Sequence, residues 1–72
     1  MKTLGEIIRE KRKARGLRQH QLAELLGCKA QQVSQWELNK DIPHLFTVWD
    51  LADIFGCSLD ELCGREYERI NT

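Results

Sequence analysis

The sequence predicts an all-α domain of five short helices, and three observations carry that expectation. Apolar residues recur at three- and four-residue spacings from Leu4 to Leu62, and no stretch sustains the alternation of a strand. Glycines at positions 16, 27, 56 and 64 each follow such a stripe, where helices stop. A chain of 72 residues holds one small core, with little room for a catalytic cleft beside it.

Thr3 and Glu6 form a capping box that starts helix 1, whose inward stripe is Leu4, Ile7, Ile8 and the stem of Lys11. Gly16 ends it. Helix 2 runs from about Gln19 to Leu26 with Leu22, Ala23 and Leu26 inward, and helix 3 from about Ala30 to Leu38 with Val33 and Trp36 inward. Between them a reversal within three or four residues needs a positive φ, which Gly27 adopts without a Cβ penalty. Ala23 lets two steeply crossed helices approach closely, and Cys28 is small enough to plug the space under the turn.

Asn39 suits a left-handed cap after helix 3, and Pro43 forces Ile42 out of the helical region to make a loop. Helix 4 is expected to bury Leu45, Val48, Leu51, Ala52 and Phe55 and to end at Gly56. Ser58 with Glu61 caps a shorter helix 5 that buries Leu59 and Leu62, and Gly64 stops it. The domain is therefore drawn as 1–64, with a tail at 65–72 carrying Tyr67 and Ile70. Leu38, Phe46, Trp49 and Ile54 fall off the core stripes; they fill secondary packing sites or, with Leu59, Leu62, Tyr67 and Ile70, make a patch for self-association.

Net charge is zero, yet its distribution is lopsided. Up to Lys40 nine bases face four acids, an excess of five positive charges; from Asp41 onward two bases face seven acids, an excess of five negative. That pattern suggests one face turned to a polyanion and one turned away. Cys28, Cys57 and Cys63 are odd in number and lack C-x-x-C spacing, so buried reduced thiols are expected, with no disulfide framework, zinc site or other metal. His20 and His44 are expected at the surface. No apolar run approaches the roughly 20 residues of a membrane span and the charged start is no signal peptide, so a soluble, cytoplasmic protein is expected.

Arg12, Gly16-Leu17, Gln19, Leu22-Ala23, Gly27, Val33, Trp36-Glu37, Pro43, Leu51-Ala52 and the run from Gly56 to Leu62 stand in one register. Over Leu4 to Leu62 the chain thereby resembles the Cro/repressor-type, xenobiotic-response-element class of helix-turn-helix regulators. The resemblance implies a five-helix repressor-like fold with the helix-turn-helix at helices 2 and 3. It also implies that helix 3 enters the major groove of double-stranded DNA, which is wide enough for a helix and displays a distinct pattern for each base pair.

On that reading Ala30, Gln31, Ser34 and Gln35 face the bases. A glutamine amide matches adenine through one donor and one acceptor, and Ala30 suits a thymine methyl. Gln31 and Gln35 are the main base readers, as the matching positions are in phage repressors; Lys29 and Gln32 lie at the rim. Gln19 matches a phosphate anchor of the family, and Asn39, Lys40 and His44 are expected to grip the other side. Arg18 and Lys29 replace the Ser or Thr that the family often places before helices 2 and 3. A lost cap costs about 1 kcal/mol per helix, and a phosphate at the free N–H groups offsets that. The resemblance assigns Arg12 and Glu37 to a structural ion pair.

The expected function is sequence-specific transcriptional regulation, as a repressor bound as a homodimer to a palindromic operator, without catalysis, cofactor or small-molecule substrate. Two alternatives stand beside it. One is a protein-interaction module on the same fold, an antitoxin-like or anti-repressor partner using the acidic C-terminal half. The other is a metal or redox sensor built on Cys57 and Cys63 with His20 or His44.

Overall fold

The structure is a computed structural model, and it describes residues 2–63. The expected stop at Gly64 and the tail with Tyr67 and Ile70 lie outside these residues. Five helices follow in order: α1 Leu4–Ala14, α2 Gln19–Leu26, α3 Ala30–Glu37, α4 Leu45–Phe55 and α5 Leu59–Cys63. Among the described residues there is no strand.

Helix α1 starts as its sequence dictates. The Thr3 hydroxyl accepts from the Glu6 N–H at 3.2 Å and Glu6 Oε1 accepts from the Thr3 N–H at 2.9 Å, satisfying two amides that a helix start leaves unpaired. The core gathers Ile7, Ile8, Leu22, Ala23, Val33, Trp36, Val48, Leu51, Ala52 and Leu62, so every helix contributes. Leu4, Leu17, Leu26, Cys28, Ile54, Phe55, Cys57 and Leu59 pack half-buried around it.

Several expectations are corrected here. Leu38 is the C-cap of α3 rather than its last residue, with Asn39 beyond it at φ +59°. Leu45 is 62% exposed: it lies in the first turn of α4, and the core face of that helix passes through Val48, Leu51 and Ala52. Leu62 is fully buried and so belongs to no self-association patch. Cys28 and Cys57 are only half-buried and Cys63 is exposed.

Two contacts unseen in the sequence fix α1 against the rest. Gly5 lies so close to the end of α3 that a Cβ would collide with the carbonyl oxygens of Trp36 and Glu37. Its N–H donates to Asn39 Oδ1 at 3.2 Å, and Asn39 Nδ2 donates to Thr3 Oγ1 at 3.0 Å. At the other end of α1, the Arg15 guanidinium donates through Nε to the Ile54 carbonyl at 3.1 Å, placing a cation at the negative end of α4.

Candidate nucleic-acid interface

Gly27 adopts φ +74°, ψ +31°, and the Cys28 N–H returns to the Ala23 carbonyl at 2.9 Å, so α2 stops and the chain reverses into α3. Ala23 is buried between the two helices, and Val33 and Trp36 hold α3 down by its inner side. Burial pushes the Cys28 thiol up from its ordinary value and keeps it protonated beneath the turn. With its inner side thus fixed, α3 presents Gln31 and Gln32 exposed and Ser34 and Gln35 half-buried. Ala30 is half-buried against the core, at the margin of that surface rather than on it.

Four of the five glutamines divide into two groups. Gln21 Oε1 accepts from the Arg18 N–H at 2.8 Å and Gln32 Oε1 from the Lys29 N–H at 3.3 Å. Each thus supplies the return half of a capping box whose first residue makes no side-chain cap. Both lie three residues past the N-cap, a spacing that was visible in the sequence. By contrast, among the described residues the Gln31 and Gln35 amides make no hydrogen bond within the chain, although the Gln35 carbonyl receives the Lys40 N–H at 2.9 Å.

Two expected phosphate contacts are already engaged elsewhere. Gln19 Nε2 donates to Glu37 Oε1 at 3.1 Å, and the Asn39 amide is bound to Gly5 and Thr3. Short polar side chains take whatever partner the fold brings near, which sequence spacing does not display. The Arg12–Glu37 pair is present and two-pronged, with Nε to Oε2 at 2.6 Å and Nη2 to Oε1 at 3.1 Å. Arg12 Nη1 also donates to the Leu17 carbonyl at 2.8 Å, so the guanidinium spans α1, the α1–α2 turn and α3. Its side chain is 10% exposed and that of Glu37 4%.

Charge around α3 is unneutralised. Lys2 pairs with Glu10 and Lys11 with Glu61, whereas among the described residues Arg18, Lys29 and Lys40 have no ion-pair partner. Arg18 and Lys29 precede α2 and α3, and exposed His44 is the N-cap of α4 with no side-chain cap bond. The His44 ring lies 3.3 Å from Thr47 Oγ1 and beside an open cavity of about 390 Å³ that Gln32, Trp36 and Asp41 also line. Among the described residues no three His, Cys, Asp or Glu side chains gather to hold a metal ion, and no helix is long and apolar enough to cross a membrane.

Comparison with known proteins matches this geometry. A helix-turn-helix family profile covers residues 8–62. The phage P22 c2 repressor, solved in complex with a synthetic operator, superposes with a TM-score of 0.84 at 30% identity over 92% of this chain and 100% of that one. The restriction-modification controller protein C.AhdI of Aeromonas hydrophila gives 0.75 at 32% identity over 82% and 86%. A transcriptional regulator of Listeria innocua gives 0.84 at 31% identity over 89% of this chain and 60% of that one. Among curated protein sequences none matches. A shared five-helix frame, the profile match and the buried pair that braces α3 lead to one statement: the chain belongs to the Cro/C1-like helix-turn-helix family.

Proposed function

We propose that the protein is a sequence-specific DNA-binding transcriptional regulator, a repressor that acts by occupying an operator and carries out no reaction. The observation that carries this reading is the pair of unengaged amides of Gln31 and Gln35 on the outer side of a helix held rigidly by α2. A bidentate glutamine–adenine contact discriminates against a wrong base by about 1–3 kcal/mol. Arg18 and Lys29 at the starts of α2 and α3, Lys40 after α3 and the start of α4 at His44 would hold phosphates, setting register without reading sequence.

One α3 of eight residues is about 12 Å long and spans only a few base pairs, so two copies on a palindrome, with half-sites about 34–36 Å apart, complete the site. The P22 c2 repressor bound to its operator supports DNA as the partner.

Selection of bound duplexes from a random pool tests the reading. Gln31→Ala and Gln35→Ala should each flatten preference at a separate base position by about tenfold, at an unchanged fold. Equal weakening on every sequence would reduce the protein to a backbone binder. Binding no tighter than about 10⁻⁴ to 10⁻⁶ M on all duplexes would favour the protein-interaction alternative.

A further inference from the structure

The open cavity beside His44 holds about 390 Å³, toward the small end of the roughly 300–1,000 Å³ of ligand sites. It lies where four segments meet: the α2–α3 turn, α3, the loop that follows it and the start of α4. Leu26, Ile42 and Pro43 supply apolar walls, and the Cys28 thiol, kept protonated by burial, adds no charge.

Trp36 gives this space a chemical direction. The residue is 5% exposed, yet among the described residues its indole N–H donates to no acceptor. Among those residues no buried side-chain nitrogen or oxygen lacks a partner, so this N–H is not sealed in the core. It meets solvent where Trp36 does, along the cavity. A tryptophan N–H so deep in a fold ordinarily has an acceptor beside it; here the place for one is open.

Two more polar groups at the cavity keep unused capacity. Gln32 Oε1 is taken by the Lys29 N–H at 3.3 Å, so among the described residues its Nε2 is left as a free donor. Asp41 Oδ1 accepts from the Ile42 N–H at 2.8 Å, which leaves Oδ2 as a free acceptor.

Charge selects the ligand. Asp41 is the one carboxylate that lines the cavity, and no lysine or arginine lines it. A carboxylate or phosphate would meet like charge there with no such cation to offset it. A neutral molecule escapes that cost if it brings a carbonyl to the Trp36 and Gln32 donors and an N–H to Asp41. We infer that the cavity is an effector site for a small neutral cyclic amide, a single or fused flat ring bearing one carbonyl and one N–H. Gln32 and His44 also stand at the rim of the surface offered to DNA, so a molecule held between them competes with the duplex. That competition rests on the DNA-binding reading above.

Isoindolinone, a fused bicycle with a carbonyl and an N–H, is the probe, and the Trp36 indole N–H resonance of the intact chain is the reporter. The chain has two tryptophans; Trp49, 51% exposed and outside the cavity, is the internal control, and Trp49→Phe assigns the pair. Isoindolinone should move the Trp36 resonance saturably, with a Kd on the order of a millimolar for so small a molecule, and leave that of Trp49 in place. Phthalide, which replaces the N–H by an oxygen in the same bicycle, should bind at least about fivefold more weakly. Asp41→Ala, at an exposed position, should abolish that preference with helical circular dichroism unchanged. Benzoate and inorganic phosphate should leave the resonance fixed. Saturating isoindolinone should raise the Kd for the selected duplex at least about threefold.

The proposal is overturned if isoindolinone leaves the Trp36 resonance unmoved, or if benzoate or phosphate moves it equally. It is equally overturned if Asp41→Ala still prefers isoindolinone to phthalide, or if duplex affinity is untouched at saturation. Should no duplex be preferred at all, the DNA reading fails, and the resonance titrations alone still decide the site.

Discussion

Arg12 donates to Glu37 twice and to the Leu17 carbonyl once, from a side chain only 10% exposed. Arg12→Ala would leave the Glu37 carboxylate buried with only Gln19 as donor, and should cost about 3–5 kcal/mol in chemical denaturation, enough to unfold a domain of this size. Gly5→Ala poses a question of sign. In an open helix the change stabilises by about 0.5–1 kcal/mol. Here the added methyl meets two backbone carbonyls that cannot rotate away, so a net loss of about 1–3 kcal/mol is expected in the same measurement. The ion pair was legible because its two positions stand in the family register; the Gly5 contact was not, since it depends on how closely the exit of α3 passes thirty residues later.

Titration follows from three groups. Burial raises the Cys28 and Cys57 thiols above their ordinary 9.0, and the hydrogen bond that Lys11 donates to Glu61 raises the Lys11 ammonium. A raised group contributes stability that is complete below its ordinary value and is lost as pH climbs through the raised one. The denaturant midpoint should therefore fall above about pH 9. In alkylation at neutral pH, exposed Cys63 should react first, with half-buried Cys28 and Cys57 behind it.

At the scale of the helix, the beginnings of α2 and α3 trade stability against function. Neither Arg18 nor Lys29 caps with its side chain, and Gln21 and Gln32 restore only one hydrogen bond each. Lys29→Ser should raise stability by about 1 kcal/mol while weakening operator binding, read by thermal unfolding and by anisotropy on the selected duplex. Helix order and the outward direction of Gln31 and Gln35 were readable from periodicity alone, because a 3.6-residue repeat fixes a side chain's azimuth once its neighbours are inward. Leu45 shows the limit of that signal. It continues the stripe of Val48 and Ala52, yet α4 begins before there is anything for its first turn to cover. Gln19 and Asn39 mark another limit, since their amides answer to partners 18 and 34 residues distant.

For the whole molecule, neutrality conceals charge segregated along the chain: among the described residues the cations without an ion-pair partner, Arg9, Lys13, Arg15, Arg18, Lys29 and Lys40, all lie in its first forty positions. Binding should weaken linearly on a log–log plot against salt. Lys40→Gln should reduce the slope by about 0.9 for one copy on DNA and by about 1.8 for two, so one titration counts the protomers. The link from Asn39 to Gly5 carries a last consequence. Amides in the opening turn of a helix ordinarily swap their hydrogen with bulk water almost unhindered, yet that of Gly5 is held by a side chain from beyond the far end of α3. Its proton lifetime in a single nuclear resonance therefore clocks how often the exit of α3 lifts off its base, with the observer stationed 34 residues upstream of the side chain that holds it.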